Sequence, residues 1–290
     1  MPASSPLHHS ATTLLSPHGR VLSLHRPQVM GILNLTPDSF FAGSRVASEK
    51  DLLVRAEAML AAGAAVLDLG AYSTRPGADD ISAEEETERL LPAVKLLRQE
   101  FPQAFLSADT FRARVAEAAV LAGADMVNDV AGGTLDADMF ATVGRLRVPY
   151  VLMHMRGTPQ TMARLTHYED DLVLTLLRHF RDGLVALRQA GAVDVVLDPG
   201  FGFAKTPAQS HELLRRLPEL QALGRPVLAG LSRKKMVYGP LGLSPDSALN
   251  GTTALHKVAL QGGARLLRVH DVAEARQTIQ LFANTFPIAQ

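Results

Sequence analysis

The stretch from Asp194 to Thr206, DVVLDPGFGFAKT, brings a carboxylate, two aromatic rings and an ammonium together within a short span. The apolar run Val195–Val196–Leu197 ends at Asp198–Pro199, the pattern of a buried strand running into a turn. Asp198 is the first polar group beyond that run. Gly200 and Gly202 allow backbone conformations closed to other residues, Phe201 and Phe203 supply flat faces, and Lys205 supplies a cation. Such a set could grip a flat heterocycle. A strand, a Pro-Gly turn and two core phenylalanines would explain the same residues more plainly. What stands at the other strand ends decides between the two.

Those ends are almost all polar. In chain order they carry Asn34 and Asp38, then Asp68 with Ser73, Thr74, Arg75 and Pro76, then Asp109, then Asn128 and Asp129. Met153 and His154 follow, then Asp198, then Gly230 with Ser232 and Lys234, and finally Arg268, His270 and Asp271. Taken alone, Asp109 could cap the following helix. Taken together, so many buried polar groups cost free energy unless they meet partners or a ligand.

The set divides into two chemistries. Arg75, Arg268, His270 and Thr74 offer the cations and donors that a phosphate or pyrophosphate needs. Asp109, Asn128, Asp198 and Lys234 offer paired acceptors with one cation, which suits a heterocycle with adjacent N–H donors and a carbonyl, such as a 2-amino-4-oxo-pyrimidine. Lys234 fits the role of site cation better than Lys205. Met153 either packs its thioether on the ring or fills the core. Asn34 or Asp38 offers an oxygen to a Mg²⁺ shared with phosphates.

The elements that must position these residues follow a repeat. A short apolar strand ends in polar residues, and an Ala/Leu-rich helical segment follows, often closing on Gly-Ala. AAGAAVLDLG (61–70), LAGADMVNDV (121–130), QAGAVDVVLD (189–198) and QGGARLLRVH (261–270) are clear copies. The glycine suits the position after a helix end, and the continuously apolar strand suits a sheet covered on both faces. Strands are expected near 29–33, 66–69, 105–108, 126–128, 150–153, 195–197, 227–229 and 266–269. Helices are expected near 49–62, 83–100, 111–122, 137–145, 169–190, 209–223, 247–261 and 272–284. Eight alternations without a break in composition predict an α/β fold, a single (β/α)8 TIM barrel over residues 28–290. An open doubly wound sheet is the alternative, disfavoured because no G-x-G-x-x-G follows the first strand. A barrel places its active site at the strands' C-terminal ends. The long loops 34–47 and 70–82, after the first two strands, are candidate lids. Residues 1–27 read as a flexible extension or a short hairpin cap, and His8, His9 and His18 as surface residues rather than metal ligands.

Composition removes several function classes. Lys+Arg and Asp+Glu are both 29 in 290 residues, so no broad basic surface for nucleic acid exists and any anion site is local. No cysteine is present, which excludes disulfides and thiolate metal sites. No apolar run approaches the ~20 residues that span a bilayer. No basic and apolar leader pattern opens the chain, so a cytoplasmic enzyme is expected, with no membrane partner.

MGILNLTPDSF (30–40), DLGAYSTRPGA (68–78), DT (109–110), ND (128–129), LDPGFGFAK (197–205), GLSRK (230–234) and RVHDV (268–272), in that order, resemble dihydropteroate synthase. The similarity runs from about Met30 to Asn284. That family is the sulfonamide target of folate biosynthesis and joins 6-hydroxymethyl-7,8-dihydropterin pyrophosphate to p-aminobenzoate, releasing pyrophosphate. The resemblance implies that Asp109, Asn128, Asp198 and Lys234 bind the pterin. It implies that Asn34 meets Mg²⁺ and pyrophosphate, and that Thr74, Arg75, Arg268 and His270 hold pyrophosphate. Phe203, Pro76, Ser232 and Lys234 would form the aminobenzoate site, with Phe40 on the first lid. A homodimer is implied as well. After Phe40 the family continues Asp-Gly-Gly, whereas this chain reads Phe41-Ala42-Gly43-Ser44. Pterin-binding methyltransferases of the same barrel, or a pterin-binding module without synthase activity, are the competing readings.

Overall fold

The computed structural model describes residues 12–35, 45–72 and 80–286. Phe40, Thr74, Arg75, Pro76 and Asp38 lie outside them. The elements run β1 (Thr13–Leu15), β2 (Val21–Ser23), β3 (Gln28–Asn34), α1 (Arg45–Ala61), β4 (Val66–Gly70), α2 (Ala83–Glu100), β5 (Phe105–Asp109), α3 (Ala113–Leu121), β6 (Met126–Asp129) and α4 (Met139–Leu146). They continue with β7 (Tyr150–Met153), α5 (Leu172–Gln189), β8 (Val195–Asp198), α6 (Pro207–Arg215), β9 (Val227–Ala229), α7 (Lys235–Tyr238), α8 (Leu249–Gln261), β10 (Ala264–Val269) and α9 (Val272–Thr285). Strands β3 to β10 close into a parallel barrel with β10 paired to β3, the expected TIM barrel. No helix among the described residues is long and apolar enough to cross a membrane.

Each barrel strand sends alternate residues to opposite faces, so one face can be followed in steps of two. Met30, Val66, Phe105, Met126, Val151, Val196, Leu228 and Leu266, one from each strand, form a single buried apolar cluster. Their neighbours along the strands, such as Leu33, Leu67, Leu106, Val127, Leu152 and Leu197, belong to a second cluster that packs under the helices. The first cluster therefore fills the barrel, and the second joins barrel to helices. Counted two residues along each strand from that cluster come Asp68, Ser107, Asn128, Asp198, Gly230 and Arg268, with Ile32 and Met153 the apolar exceptions. Beyond that stand Asn34, Gly70, Asp109 and His270. The interior turns from apolar to polar within one side-chain step.

The N-terminal segment seals the apolar end. β1 and β2 form an antiparallel hairpin with Leu14 opposite Leu22. Leu14, Leu22 and Leu24 join the same cluster as the eight interior residues. The hairpin is tied down by Asp125, which accepts from Ser16 Oγ at 2.5 Å, Arg20 Nε at 2.7 Å, Arg98 Nη2 at 2.6 Å and Leu106 N at 2.9 Å. With four donors, this buried carboxylate is fully compensated. His18, far from any metal role, meets the Val120 carbonyl at 2.9 Å.

The differences from the expected elements have local causes. The segment expected as one helix over 209–223 is α6 followed by a 3₁₀ turn, Leu217–Leu223. Pro218 lacks the N–H needed to continue an α-helix and crowds the carbonyl four residues back. α3 starts at Ala113 because Arg112 is extended, at φ −107 and ψ 120. α5 starts at Leu172 because the Asp171 carboxylate caps Leu174 N at 2.8 Å. α8 starts at Leu249, after a 3₁₀ turn over Pro245–Ser247.

Leu14 is fully buried at the sealed end. Leu14→Ala should therefore lower the unfolding free energy by about 2–5 kcal/mol in urea titrations. A loss well under ~1 kcal/mol would show that the hairpin does not close the barrel floor.

Candidate active site

The strand register sets the site's vertical scale. Asn34 pairs with Gly70, Gly70 with Asp109, and Asp109 with Asn128, so these four share one level across β3 to β6. Asp198 is level with Met153 across β7 and β8. Strand pairing, rather than loop conformation, thus places most of the polar residues, a rigid mounting for a binding site.

Arg268 is the centre of the polar layer. Its Nε donates to Asp68 Oδ2 and its Nη2 to Asp109 Oδ2, each at 2.6 Å. Asn128 Nδ2 also donates to Asp68 Oδ2, at 3.0 Å. The Arg268 side chain keeps 21% exposure, against 0% for Asp68 and 10% for Asp109. The guanidinium is therefore the part of this triad that still reaches the barrel mouth. Burial pulls its pKa down, but Asp68 and Asp109 outweigh that and hold it above its ordinary value. Burial pushes Asp109 upward; Arg268 opposes the rise and Asp68 adds to it.

Asp198 occupies the opposite side. Its Oδ1 accepts from Gly200 N at 2.8 Å, an Asx turn that shapes the start of the loop. Its Oδ2 lies beside Gly230, where an added Cβ would stand 3.8 Å from that oxygen and 3.9 Å from Arg268 Cβ. A side chain at this level would be in ordinary van der Waals contact with both groups, and glycine leaves that space unfilled. Burial raises the Asp198 pKa, and the charge of Lys234 is the chief opposing influence. Burial in turn lowers Lys234 to about 8, with Asp198 holding it up. A carboxylate in so poorly solvated a place gains much from N–H donors of a ligand.

The loop after β8 brings the aromatic wall. Lys234 Nζ donates to the Phe201 carbonyl at 2.6 Å and lies 4.6 Å from the Phe203 ring centroid, a cation–π contact. Phe201 is fully buried and packs in the barrel–helix core, while Phe203 is only half-buried. Met153 is buried in a cluster near the mouth, with Tyr72, Phe111 and Ala204 among its members and Phe203 against it. Ser232 Oγ lies 3.1 Å from His270 Nδ1 and accepts from His270 N at 3.3 Å. The helix after Ser232 is only the four-residue α7, so the Lys234 ammonium is the stronger positive group there.

Asp109, Asn128, Asp198, Lys234, Phe203 and Arg268 thus converge on one mouth, with Ser232 and His270 paired to each other at the β9 and β10 ends. Asn34 stands on the level of Asp109. One part of the site was not assigned from sequence. Asp68 was visible as a strand-end residue, yet its role as partner of both Arg268 and Asn128 appears only when the barrel closes. Lys205 Nζ is buried against His154 Nδ1 and three backbone carbonyls. Asp129 also turns away, accepting from Tyr150 OH at 2.6 Å and from Ala131 N and Gly133 N.

A family model described as "Pterin binding enzyme" matches residues 30–270. The dihydropteroate synthase of Synechocystis is 44% identical over 255 residues, covering 87% of this chain and 88% of the relative. A structure of dihydropteroate synthase from Xanthomonas albilineans with 4-aminobenzoic acid superposes with a TM-score of 0.87 at 40% identity, covering 96% of this chain and 99% of that one. A structure of the enzyme from the same organism in complex with 7,8-dihydropteroate gives a TM-score of 0.84 at 38% identity, covering 96% of this chain and 100% of that one. A barrel whose strand ends carry this polar layer, matched over almost its whole length to these proteins, belongs to the dihydropteroate synthases, the pterin-binding transferases of folate synthesis.

Proposed function

We propose that the chain condenses 6-hydroxymethyl-7,8-dihydropterin pyrophosphate with p-aminobenzoate, giving 7,8-dihydropteroate and pyrophosphate. The observation that carries this reading is the convergence of Asp109, Asn128, Asp198, Lys234 and Arg268 at one end of the closed barrel, with Arg268 bonded to Asp68 and Asp109. Asp198 accepts from the aminopyrimidinone edge of the pterin, Asp109 and Asn128 hold its far side, and Met153 packs on the ring. The Arg268 guanidinium and His270 hold the pyrophosphate, a role that the resemblance also gives to Thr74 and Arg75. Phe203 and Ser232 receive the arylamine and Lys234 its carboxylate, and the resemblance adds Pro76 and Phe40 to that group.

The reaction is a dissociative substitution. The bond between the methylene carbon and the pyrophosphate oxygen breaks first, and its electron pair leaves with pyrophosphate. Lone pairs of the dihydropterin nitrogens stabilise the carbocation. The neutral arylamine nitrogen then attacks and loses its proton. Arg268, His270 and Arg75 stabilise the departing charge, so catalysis is positioning and electrostatics without a covalent enzyme intermediate.

Among the described residues no group of three or more His, Cys, Asp or Glu side chains could hold a metal ion. A Mg²⁺ bound by one protein oxygen and completed by phosphate oxygens and water needs no such group, and the Asn34 amide is an oxygen donor at the right end of β3. Bound there, Mg²⁺ would offset charge on the pyrophosphate. A cytoplasmic homodimer completes the reading; the exposed Val258 on α8 and Leu281 on α9 are apolar positions available for pairing.

The wild-type chain should release pyrophosphate only when both p-aminobenzoate and the pterin pyrophosphate are present with Mg²⁺. Asp198→Asn should weaken pterin binding by about 10–100-fold, the range expected for losing a charged hydrogen bond. An unchanged pterin affinity with pyrophosphate release abolished would remove Asp198 from the pterin edge. Arg268→Met leaves Asp68 and Asp109 without their cation and should cost about 3–5 kcal/mol of stability near pH 8. Asp109, already pushed up by burial, then loses the opposing charge of Arg268 and rises further, and a raised acid loses stability as pH rises through its folded-state value. The deficit should therefore shrink toward pH 5. A deficit equal at both pH values in urea titrations would contradict the ion-pair account.

A further inference from the structure

Lys205 is only 5% exposed, yet its ammonium has four acceptors around it. Nζ lies 3.0 Å from His154 Nδ1, 3.3 Å from the His154 carbonyl, 3.1 Å from the Gly200 carbonyl and 3.0 Å from the Phe203 carbonyl. Burial lowers Lys205 to about 7; in its ammonium form it only donates, so His154 Nδ1 then accepts, which requires a neutral imidazole. Burial, and next the charge of Lys205, keep His154 well below its usual pKa and hold it in that form. No partner of Lys205 is a substrate-facing side chain. Its whole hydrogen-bonding capacity goes into the path of the 199–205 loop.

That loop needs holding. Gly200 has φ +67 and passes so close to β7 that an added Cβ would sit 2.2 Å from the His154 carbonyl. Ala204 is left-handed at φ +49, a conformation unfavourable for a residue with a Cβ. Tyr168 OH donates to the Ala204 carbonyl at 3.1 Å. Downstream, a capping box between Thr206 and Gln209 fixes the start of α6. Phe203, at the crest, is held through its carbonyl by Lys205 and through its amide by the Gly200 carbonyl at 3.1 Å. Asp198 is secured chiefly by pairing with Met153 across β7 and β8 and by its own turn to Gly200 N, and among the cations that favour its charged form Lys205 ranks behind Lys234 and Arg268.

We propose that Lys205 is a positioning residue for the arylamine substrate: by tying the His154, Gly200 and Phe203 carbonyls together from beneath, it fixes the Phe203 ring against Lys234 without touching either substrate. This rests on the reading that places p-aminobenzoate against Phe203. Because Asp198 has its own supports, losing the lysine separates the two substrates. The near-isosteric Lys205→Met, in the full chain, should raise KM for p-aminobenzoate about tenfold, with KM for the pterin pyrophosphate and kcat at saturation within about threefold of wild type. A merely structural lysine would raise both KM values together, or neither, and either result overturns the proposal. Should Lys205→Met not fold, Tyr168→Phe removes one bond from the same loop at a half-buried site. It should raise KM for p-aminobenzoate alone, by about two- to fivefold; an unchanged value overturns the proposal. A wild-type chain that never consumes p-aminobenzoate would overturn the functional reading itself, a failure distinct from a wild type that turns over and variants that do not separate the two KM values.

Discussion

The pairing of Arg268 with Asp68 and Asp109 is the constraint on which the site depends. A guanidinium inside a barrel is costly to desolvate, and two carboxylates at 2.6 Å compensate it only because both are held in place by strand pairing. Asp68 and Asp109 sit two residues apart on the interior faces of neighbouring strands, and Arg268 reaches them from β10 across the barrel. The arrangement fixes the guanidinium plane and orients Asn128 through Asp68. Breaking any member strands a buried charge, so the polar layer stands or falls together.

Such a layer needs a dry floor. The eight interior apolar residues and the hairpin leucines below them provide it, and they keep water from reaching the polar groups from the sealed end. The low polarity raises Asp109 and Asp198 and lowers Lys234 toward neutrality of charge. An N–H-rich ring edge entering from the open end replaces missing water with hydrogen bonds. Affinity and orientation then come from one physical cause, the step from apolar to polar interior.

Much of this was legible in the sequence. Short apolar strands ending in Asp109, Asn128, Asp198 and Arg268 announced both the barrel and the open end of it, because a fully covered strand has nowhere else to show a polar residue. The Val21–Leu24 alternation hinted at the hairpin, though not that its leucines would fill the barrel floor. Asp68 could be seen at a strand end, but its partner lies two hundred positions away in the chain, and no local pattern encodes contact across a closed barrel. Lys205, set aside in favour of Lys234 on sequence alone, is found with its Nζ against the His154, Gly200 and Phe203 carbonyls, after a left-handed turn at Ala204 that no local pattern announces. Helix starts shifted where Arg112 and Asp171 took extended or capping conformations, and Pro218 broke a helix that apolar spacing alone would have continued. The two loops carrying Phe40 and Thr74–Pro76 lie outside the described residues.

The central claim is that the polar interior layer receives the aminopyrimidinone edge of a pterin. The direct measurement is a crystal structure of the chain soaked with 6-hydroxymethylpterin at saturating concentration. The account predicts density for a flat bicyclic ring within the barrel mouth, its 2-amino edge about 3 Å from the Asp198 carboxylate and its plane beside Arg268. Density for the ring outside the barrel, or a barrel mouth holding only solvent at saturation, would contradict it.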